Sequence, residues 1–210
     1  MPVAVSGKLI GQTAFGTDEL FTDARENVAQ RFVAVDSQKG CLALLNKGVY
    51  GSHCENGSIY MSLVRGATYC AHPICDRELI PTDRFTQKID QGENNYSFRL
   101  TVTDREQLER KATEFVQKPY ALNIFPIPTQ ASDKRDFELC IGGDVITMSA
   151  FKKAYGRDAM IFRLFNNTPD SVESYIKLNG RTLPLCFGKY EVKTVVYENG
   201  TLCESYEMLI

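Results

Sequence analysis

Three Asn-Gly dipeptides, Asn56-Gly57, Asn179-Gly180 and Asn199-Gly200, constrain the fold of this chain more than any other local feature. Both residues tolerate the positive φ of a tight primed turn, so each pair marks a β-hairpin; the first lies between Tyr50 and Ile59. Around them, apolar residues alternate with period two rather than the helical period, and Gly, Asn and Asp separate the runs. A mainly β protein follows. The strand candidates are Arg31–Val35, Cys41–Leu45, Ser58–Val64, Asn95–Val102, Leu139–Ile146, Met160–Phe165, Ser174–Leu178 and Glu191–Tyr197.

One segment departs from the alternation. Thr103-Asp104-Arg105-Glu106 has capping-box spacing, a hydroxyl and a carboxylate placed to satisfy backbone N–H groups at a helix start. Leu108, Ala112, Phe115 and Val116 follow at helical spacing, predicting one helix over Asp104–Gln117 that Pro119 ends. Two prolines and a polar tail make 126–136 the expected linker. The expected organisation is a larger β unit over 1–125 and a smaller one over 137–210, the second too small for an ample core of its own and so packed on the first.

The bulk properties exclude several function classes. The 24 Lys and Arg are scattered among 26 acids, net charge −2, so there is no basic surface for nucleic acid. No apolar run approaches the ~18 residues that span a bilayer, and Met1–Leu9 lacks the pattern of a secretory leader. A cytoplasmic location is the expectation. The seven cysteines are odd in number and without a repeating spacing, which reads as reduced thiols rather than a disulfide framework. On that reading the sequons Asn56-Gly57-Ser58, Asn166-Asn167-Thr168 and Asn199-Gly200-Thr201 are chance matches.

Candidate chemistry is sparse. A Ser-His or Cys-His pair would need His53 or His72, and neither sits in a nucleophile elbow. Cys70-Ala71-His72-Pro73-Ile74-Cys75 carries ligands that zinc favours, but a structural zinc needs a fourth, from Cys54 or His53; incidental cysteines in a surface loop are the preferred reading, with no metal. Asp83, Asp90 and Glu93 form an acidic cluster, yet a retaining glycosidase needs two carboxyls ~5 Å apart across a sugar, and Asp90-Gln91-Gly92-Glu93 also reads as an ordinary turn. Ile141-Gly142-Gly143-Asp144 is a hairpin turn, not a phosphate loop. With no Trp, a lectin-like surface would rest on Tyr50, Tyr60 and Tyr69.

Several segments, in order and at their intervals, resemble the C-terminal β-region of the family 38 glycoside hydrolases, the retaining α-mannosidases. They are Thr13-Ala14-Phe15-Gly16, Gln30-Arg31-Phe32, Leu44-Leu45-Asn46 through Tyr50-Gly51, Leu63-Val64-Arg65 and Asp90-Gln91-Gly92-Glu93. The last is similar to the family's Asp-x-Gly-Glu turn, which often continues with His; here Asn94 follows. Further on, Ile161-Phe162-Arg163-Leu164-Phe165-Asn166 is similar to the terminal sandwich strand, and Lys189-Tyr190-Glu191-Val192-Lys193-Thr194 to the closing Pro-Tyr-Glu-x-Lys-Thr pattern.

The resemblance implies a supersandwich-like (galactose mutarotase-like) β-sandwich with one helix, followed by a smaller C-terminal β-sandwich. It also implies that the catalytic residues and the divalent metal, usually zinc, belong to an N-terminal barrel whose motifs are not in this sequence, so the chain carries no catalytic, cofactor or metal residue. The chain would be a non-catalytic scaffold and rim of the substrate cleft. Its partners would be its own catalytic domain, the oligosaccharide substrate and, in an oligomer, a second copy. Arg65 takes the place of the family's strand-ending arginine, where a guanidinium fork can hydrogen-bond a distal sugar hydroxyl; an ion pair to an adjacent loop is the competing role. The alternatives are a stand-alone carbohydrate-binding module and a purely structural or oligomerisation domain.

Overall fold

The computed structural model describes residues 1–67, 88–121 and 137–206. Chain order through the first part is β1 (Lys8–Thr13), β2 (Gly16–Glu19), β3 (Glu26–Val28), β4 (Phe32–Ser37), β5 (Gly40–Asn46), β6 (Gly51–Glu55), β7 (Ser58–Met61) and β8 (Phe98–Thr103). A single 3-10 turn, Arg105–Gln107, leads into helix α1 (Leu108–Val116). The second part holds β9 (Leu139–Ile141), β10 (Ile146–Lys153), β11 (Ala159–Asn166), β12 (Val172–Leu178), β13 (Arg181–Phe187), β14 (Val192–Glu198) and β15 (Thr201–Ser205). All described pairings are antiparallel.

The first part is three layers. A five-stranded sheet in the order β2-β1-β4-β5-β8 lies between α1 and a three-stranded sheet, β3-β6-β7. The period-two pattern dictates this arrangement. In register, Ile10 opposes Ala34 and Leu9 opposes Val35, so alternate residues go to opposite faces. Ile10, Phe32, Ala34, Ala43 and Leu45 bury against Leu108 and Ala112 of the helix, while Leu9, Val33 and Val35 bury against Cys54 and Ile59 of the small sheet. The second part is a sandwich of the sheets β10-β11-β14-β15 and β13-β12-β9. Phe162, Leu164 and Val195 from one sheet meet Ile176, Leu178 and Phe187 from the other, all fully buried. The mainly β, sandwich-type fold, with one α-helix among the described residues, is thus as expected.

The three Asn-Gly pairs are the turns of the β6–β7, β12–β13 and β14–β15 hairpins, with φ of 49° and 68°, 48° and 81°, and 50° and 74°. Two local expectations fail. The capping box does not form: Thr103 is held in the β5–β8 ladder opposite Cys41, so Asp104 becomes the residue before the 3-10 turn and makes no side-chain cap bond. The expected strand Leu139–Ile146 is two strands on different sheets, and Gly142-Gly143-Asp144 carries the chain from one layer to the other rather than closing a hairpin. Gly142 is required there, because a Cβ would lie 2.6 Å from the Tyr175 ring.

The two parts touch through the β1–β2 turn. Phe15, at φ 57°, meets Phe165 edge to face at 5.4 Å, and the Tyr190 hydroxyl donates to the Thr17 carbonyl at 3.1 Å. Gln107 Nε2 donates to Asp144 Oδ2 at 2.6 Å. The second unit packs on the first, as its size requires. The expected linker 126–136 lies outside the described residues.

Candidate functional site

Arg65 does not end a strand. Strand β7 stops at Met61, paired with Ser52, because its partner β6 begins one residue further along, at Gly51. Ser62 makes a last bond to the sheet, its N–H donating to the Gly51 carbonyl at 2.9 Å, and its hydroxyl meets Glu26 Oε1 at 3.4 Å. Leu63, Val64 and Arg65 then run on exposed, clear of the ladder. The fold nevertheless brings two of the family-like segments together. A Cβ on Gly66 would lie 3.3 Å from Gln91 Nε2, so the stretch carrying Arg65 abuts the Asp90–Glu93 turn.

That turn is built by its own polar groups. Asp90 at φ 54° and Gly92 at φ 108° bend the backbone, and Asn94 Nδ2 donates to the Asp90 carbonyl at 3.2 Å and the Gly92 carbonyl at 3.4 Å. Asn94, where the family-like pattern would have His, therefore closes the turn. Asp90 and Glu93 are exposed; Asp83 lies outside the described residues, and so do Tyr69, Cys70, His72 and Cys75.

The other candidates separate. His53 stacks on Tyr60 across the β6–β7 pair with ring centroids 4.7 Å apart, on the outward face of the small sheet; Tyr50, before β6, is exposed. Cys54, the next residue, points inward and is buried with Val33 and Ile59. Neighbours on opposite faces of a strand cannot join one ligand set. Among the described residues no three His, Cys, Asp or Glu side chains are grouped to hold a metal ion. The described cysteines are free thiols, and burial next to Asp36 pushes Cys41 up to about 12.

The most organised polar cluster is one that sequence reading passed over. Arg31, just before β4, ion-pairs with Glu109 of α1, whose side chain is 6% exposed. Arg31 Nε donates to Gln12 Oε1 at 3.0 Å and Nη1 to Thr113 Oγ1 at 2.8 Å, and Gln12 Nε2 donates to Glu109 Oε2 at 2.5 Å. Glu109 and Thr113 stand one helical turn apart and so share a face. Desolvation raises the pKa of Glu109 above the ordinary carboxylate value, against the opposing charge of Arg31 and the hydrogen bonds of Gln12 and Arg31. The sequence signal was slight: Glu109 flanks the apolar stripe of Leu108 and Ala112, and Arg31 stood out only through the resemblance. This cluster floors a cleft of about 360 Å³ between α1, the β1–β2 turn and β10.

A helix-backed antiparallel β-sandwich packed on a second sandwich, with no barrel among the described residues, defines the class of fold. Solved structures that share it include two from Enterococcus faecalis. One is an alpha-mannosidase from Enterococcus faecalis V583, similar over 90% of this chain and 24% of its own, at 16% identity and a TM-score of 0.70. The other, a protein in the glycosyl hydrolase family 38 from Enterococcus faecalis, matches over 90% of this chain and 25% of its own, at 15% identity and a TM-score of 0.62. The chain thus spans about a quarter of the length of each. No protein-family model matches the sequence, and no curated protein matches it significantly.

No described helix is long and apolar enough to cross a membrane.

Proposed function

We propose that this chain is a non-catalytic portion of a retaining α-mannosidase, serving as scaffold and as rim of the substrate cleft. The observation that carries the reading is the shared fold: nine-tenths of this chain superposes on a quarter of an α-mannosidase, in a region-sized piece rather than a single motif. The surface adds support. On β8, Phe98, Leu100 and Val102 share one face of the five-stranded sheet and remain 36%, 57% and 72% exposed. A contiguous apolar strip of this kind marks a face that packs against further structure.

In this reading the nucleophile, the acid/base and the divalent metal belong to a separate barrel. On this proposal no step of the chemistry runs through this chain. Arg65 contributes a charge-assisted hydrogen bond to a distal sugar hydroxyl, from a segment fixed against the Asp90–Glu93 turn. The location is cytoplasmic, in line with the reduced cysteines.

The test is hydrolysis of p-nitrophenyl α-mannoside with zinc added, on the chain alone and mixed with a family 38 barrel from the same organism. The chain alone should be inactive, and it should co-elute with the barrel and raise its turnover. Turnover by the chain alone, or failure to associate, refutes the reading. A second reading, a stand-alone carbohydrate-binding module, is favoured by the stacked His53–Tyr60 pair on an exposed sheet face. Saturable broadening of the Tyr60 and His53 resonances by mannose oligosaccharides would establish it.

A further inference from the structure

We infer that the cleft between the two sandwiches, floored by Arg31 and Glu109, is a binding site for a neutral polyhydroxylated molecule about the size of one sugar ring. Its volume of about 360 Å³ falls at the small end of ligand cavities. The walls come from three directions. Helix α1 and the residue that caps its end supply Thr113 and Gln117, the segment leading into β4 supplies Gln30 and Arg31, and β10 supplies Thr147 and Ser149.

The floor is held rigid and electrically balanced. Both Glu109 oxygens accept hydrogen bonds, one from Arg31 and one from Gln12, and the carboxylate neutralises the guanidinium. An anion therefore meets no net positive charge, and a cation finds no carboxylate oxygen without a partner. Balance does not exhaust the donors. Of the five N–H groups of a guanidinium, three are used in bonds to Gln12, Thr113 and Glu109, which leaves two for a ligand. Thr113 accepts from Arg31 and retains its own hydroxyl proton.

The β10 wall is also shaped for a ligand. β10 is the outer strand of its sheet, and its register with β11 slips between Met148 and Ala150, so Ser149 is the extra residue of a β-bulge. Bulges re-aim a side chain and end regular pairing, and they gather beside binding sites. The Ser149 hydroxyl donates to the Arg163 carbonyl at 3.2 Å, which leaves its oxygen able to accept. Gln30 and Gln117 are exposed amides that each offer donor and acceptor. A hydroxyl donates and accepts at one atom, so alternating amide, hydroxyl and guanidinium groups around a neutral floor match a ring of hydroxyls. The edge-to-face pair Phe15–Phe165 closes one side with an apolar surface suited to the C–H face of such a ring. The inference stands whether or not the chain is part of a mannosidase.

The test uses the 210-residue chain, isotope-labelled, titrated with methyl α-mannoside, glucose, glycerol and, as the anionic control, sulfate. Saturable shifts should centre on the side-chain amides of Gln30 and Gln117 and the backbone amides of Thr147 and Ser149, with a Kd on the order of millimolar for the best ligand. Gln30→Ala with Gln117→Ala should weaken it at least about tenfold while the melting temperature holds, because both side chains are exposed. The inference is overturned by the absence of saturable shifts up to about 100 mM. It is equally overturned by shifts centred on His53 and Tyr60 instead, by an unchanged curve in the double variant, or by sulfate binding more tightly than every neutral ligand.

Discussion

Replacing Arg31 with Met should destabilise the protein through the charge it strands. Glu109 is almost wholly buried, and Arg31 supplies both an opposite charge and a hydrogen bond to it. Removing one member of a buried pair typically costs 3–5 kcal/mol, because the remaining charge keeps its desolvation penalty and loses its compensation. Gln12 still donates to the other carboxylate oxygen, so the lower end, about 3 kcal/mol, is expected. For a chain of this length that is a fall in melting temperature of roughly 6–12 °C. The pH dependence identifies the cause. The folded pKa of Glu109 is already raised by burial, so protonation favours the fold; that contribution is present below the ordinary carboxylate range and is lost as pH rises through the folded value. Without Arg31 the folded value moves higher still. The deficit of Arg31→Met should therefore be largest near neutral pH and shrink toward about pH 5. Arg31→Met with Glu109→Met should recover most of the loss, since no charge is left stranded. Thermal melts of the wild type, the single and the double variant at both pH values decide it. If the single variant melts within about 2 °C of wild type at neutral pH, with no pH dependence, the cluster is not an energetic keystone of the fold.

Three further outcomes follow from particular residues. Gly180→Val should cost about 1–2 kcal/mol through backbone strain alone, because φ is 81° and a Cβ there meets nothing, and urea unfolding would contradict this with a neutral result. Alkylation of the native protein at about pH 8 should label Cys140, Cys186 and Cys203 before Cys41, whose buried thiol is pushed up to about 12; mass spectrometry finding Cys41 labelled first would reverse the assignment. Arg65→Ala should leave the melting curve of the chain within about 0.5 kcal/mol of wild type, since the side chain is exposed, and on the proposed reading as part of an α-mannosidase it should weaken kcat/KM on oligosaccharides by on the order of 1–2 kcal/mol. A shift of several degrees with kinetics intact would make Arg65 a structural ion-pair residue.

What the sequence disclosed was local, and what it hid was long-range. Asn56-Gly57, Asn179-Gly180 and Asn199-Gly200 announced their hairpins because the turn geometry is a property of two residues. Helix α1 was legible from its 3.6-residue spacing, but its start was not, because the sheet had already claimed Thr103. Strand β1 escaped notice where Gly11 and Gln12 interrupt the apolar run: a Cβ on Gly11 would lie 2.7 Å from both Ala29 and Leu20, and Gln12 is buried to reach Arg31 and Glu109. Strand β13 carries Pro184, which argues against a strand anywhere but at an edge, and β13 is the outer strand of its sheet.

The same division explains the site. Arg65 was found because it sits in a family-like run of three residues, yet its expected strand depended on a partner, and β6 begins only at Gly51, too late in the chain to pair beyond Ser62. Arg31 and Glu109 lie 78 residues apart, and Gln12 and Glu109 97 apart, so no window of sequence contains the cluster. Each residue looks ordinary alone: a glutamine in a strand, an arginine before one, a glutamate on a helix. Only the stacking of α1 on the five-stranded sheet brings them together, and only the second sandwich, resting on the β1–β2 turn, encloses them. The polar cleft is consequently a product of how the two units pack. A variant that loosens that packing, such as Phe15→Ala at the edge-to-face contact with Phe165, should impair the cleft before it unfolds either sandwich, because Phe15 is half exposed and belongs to neither main core.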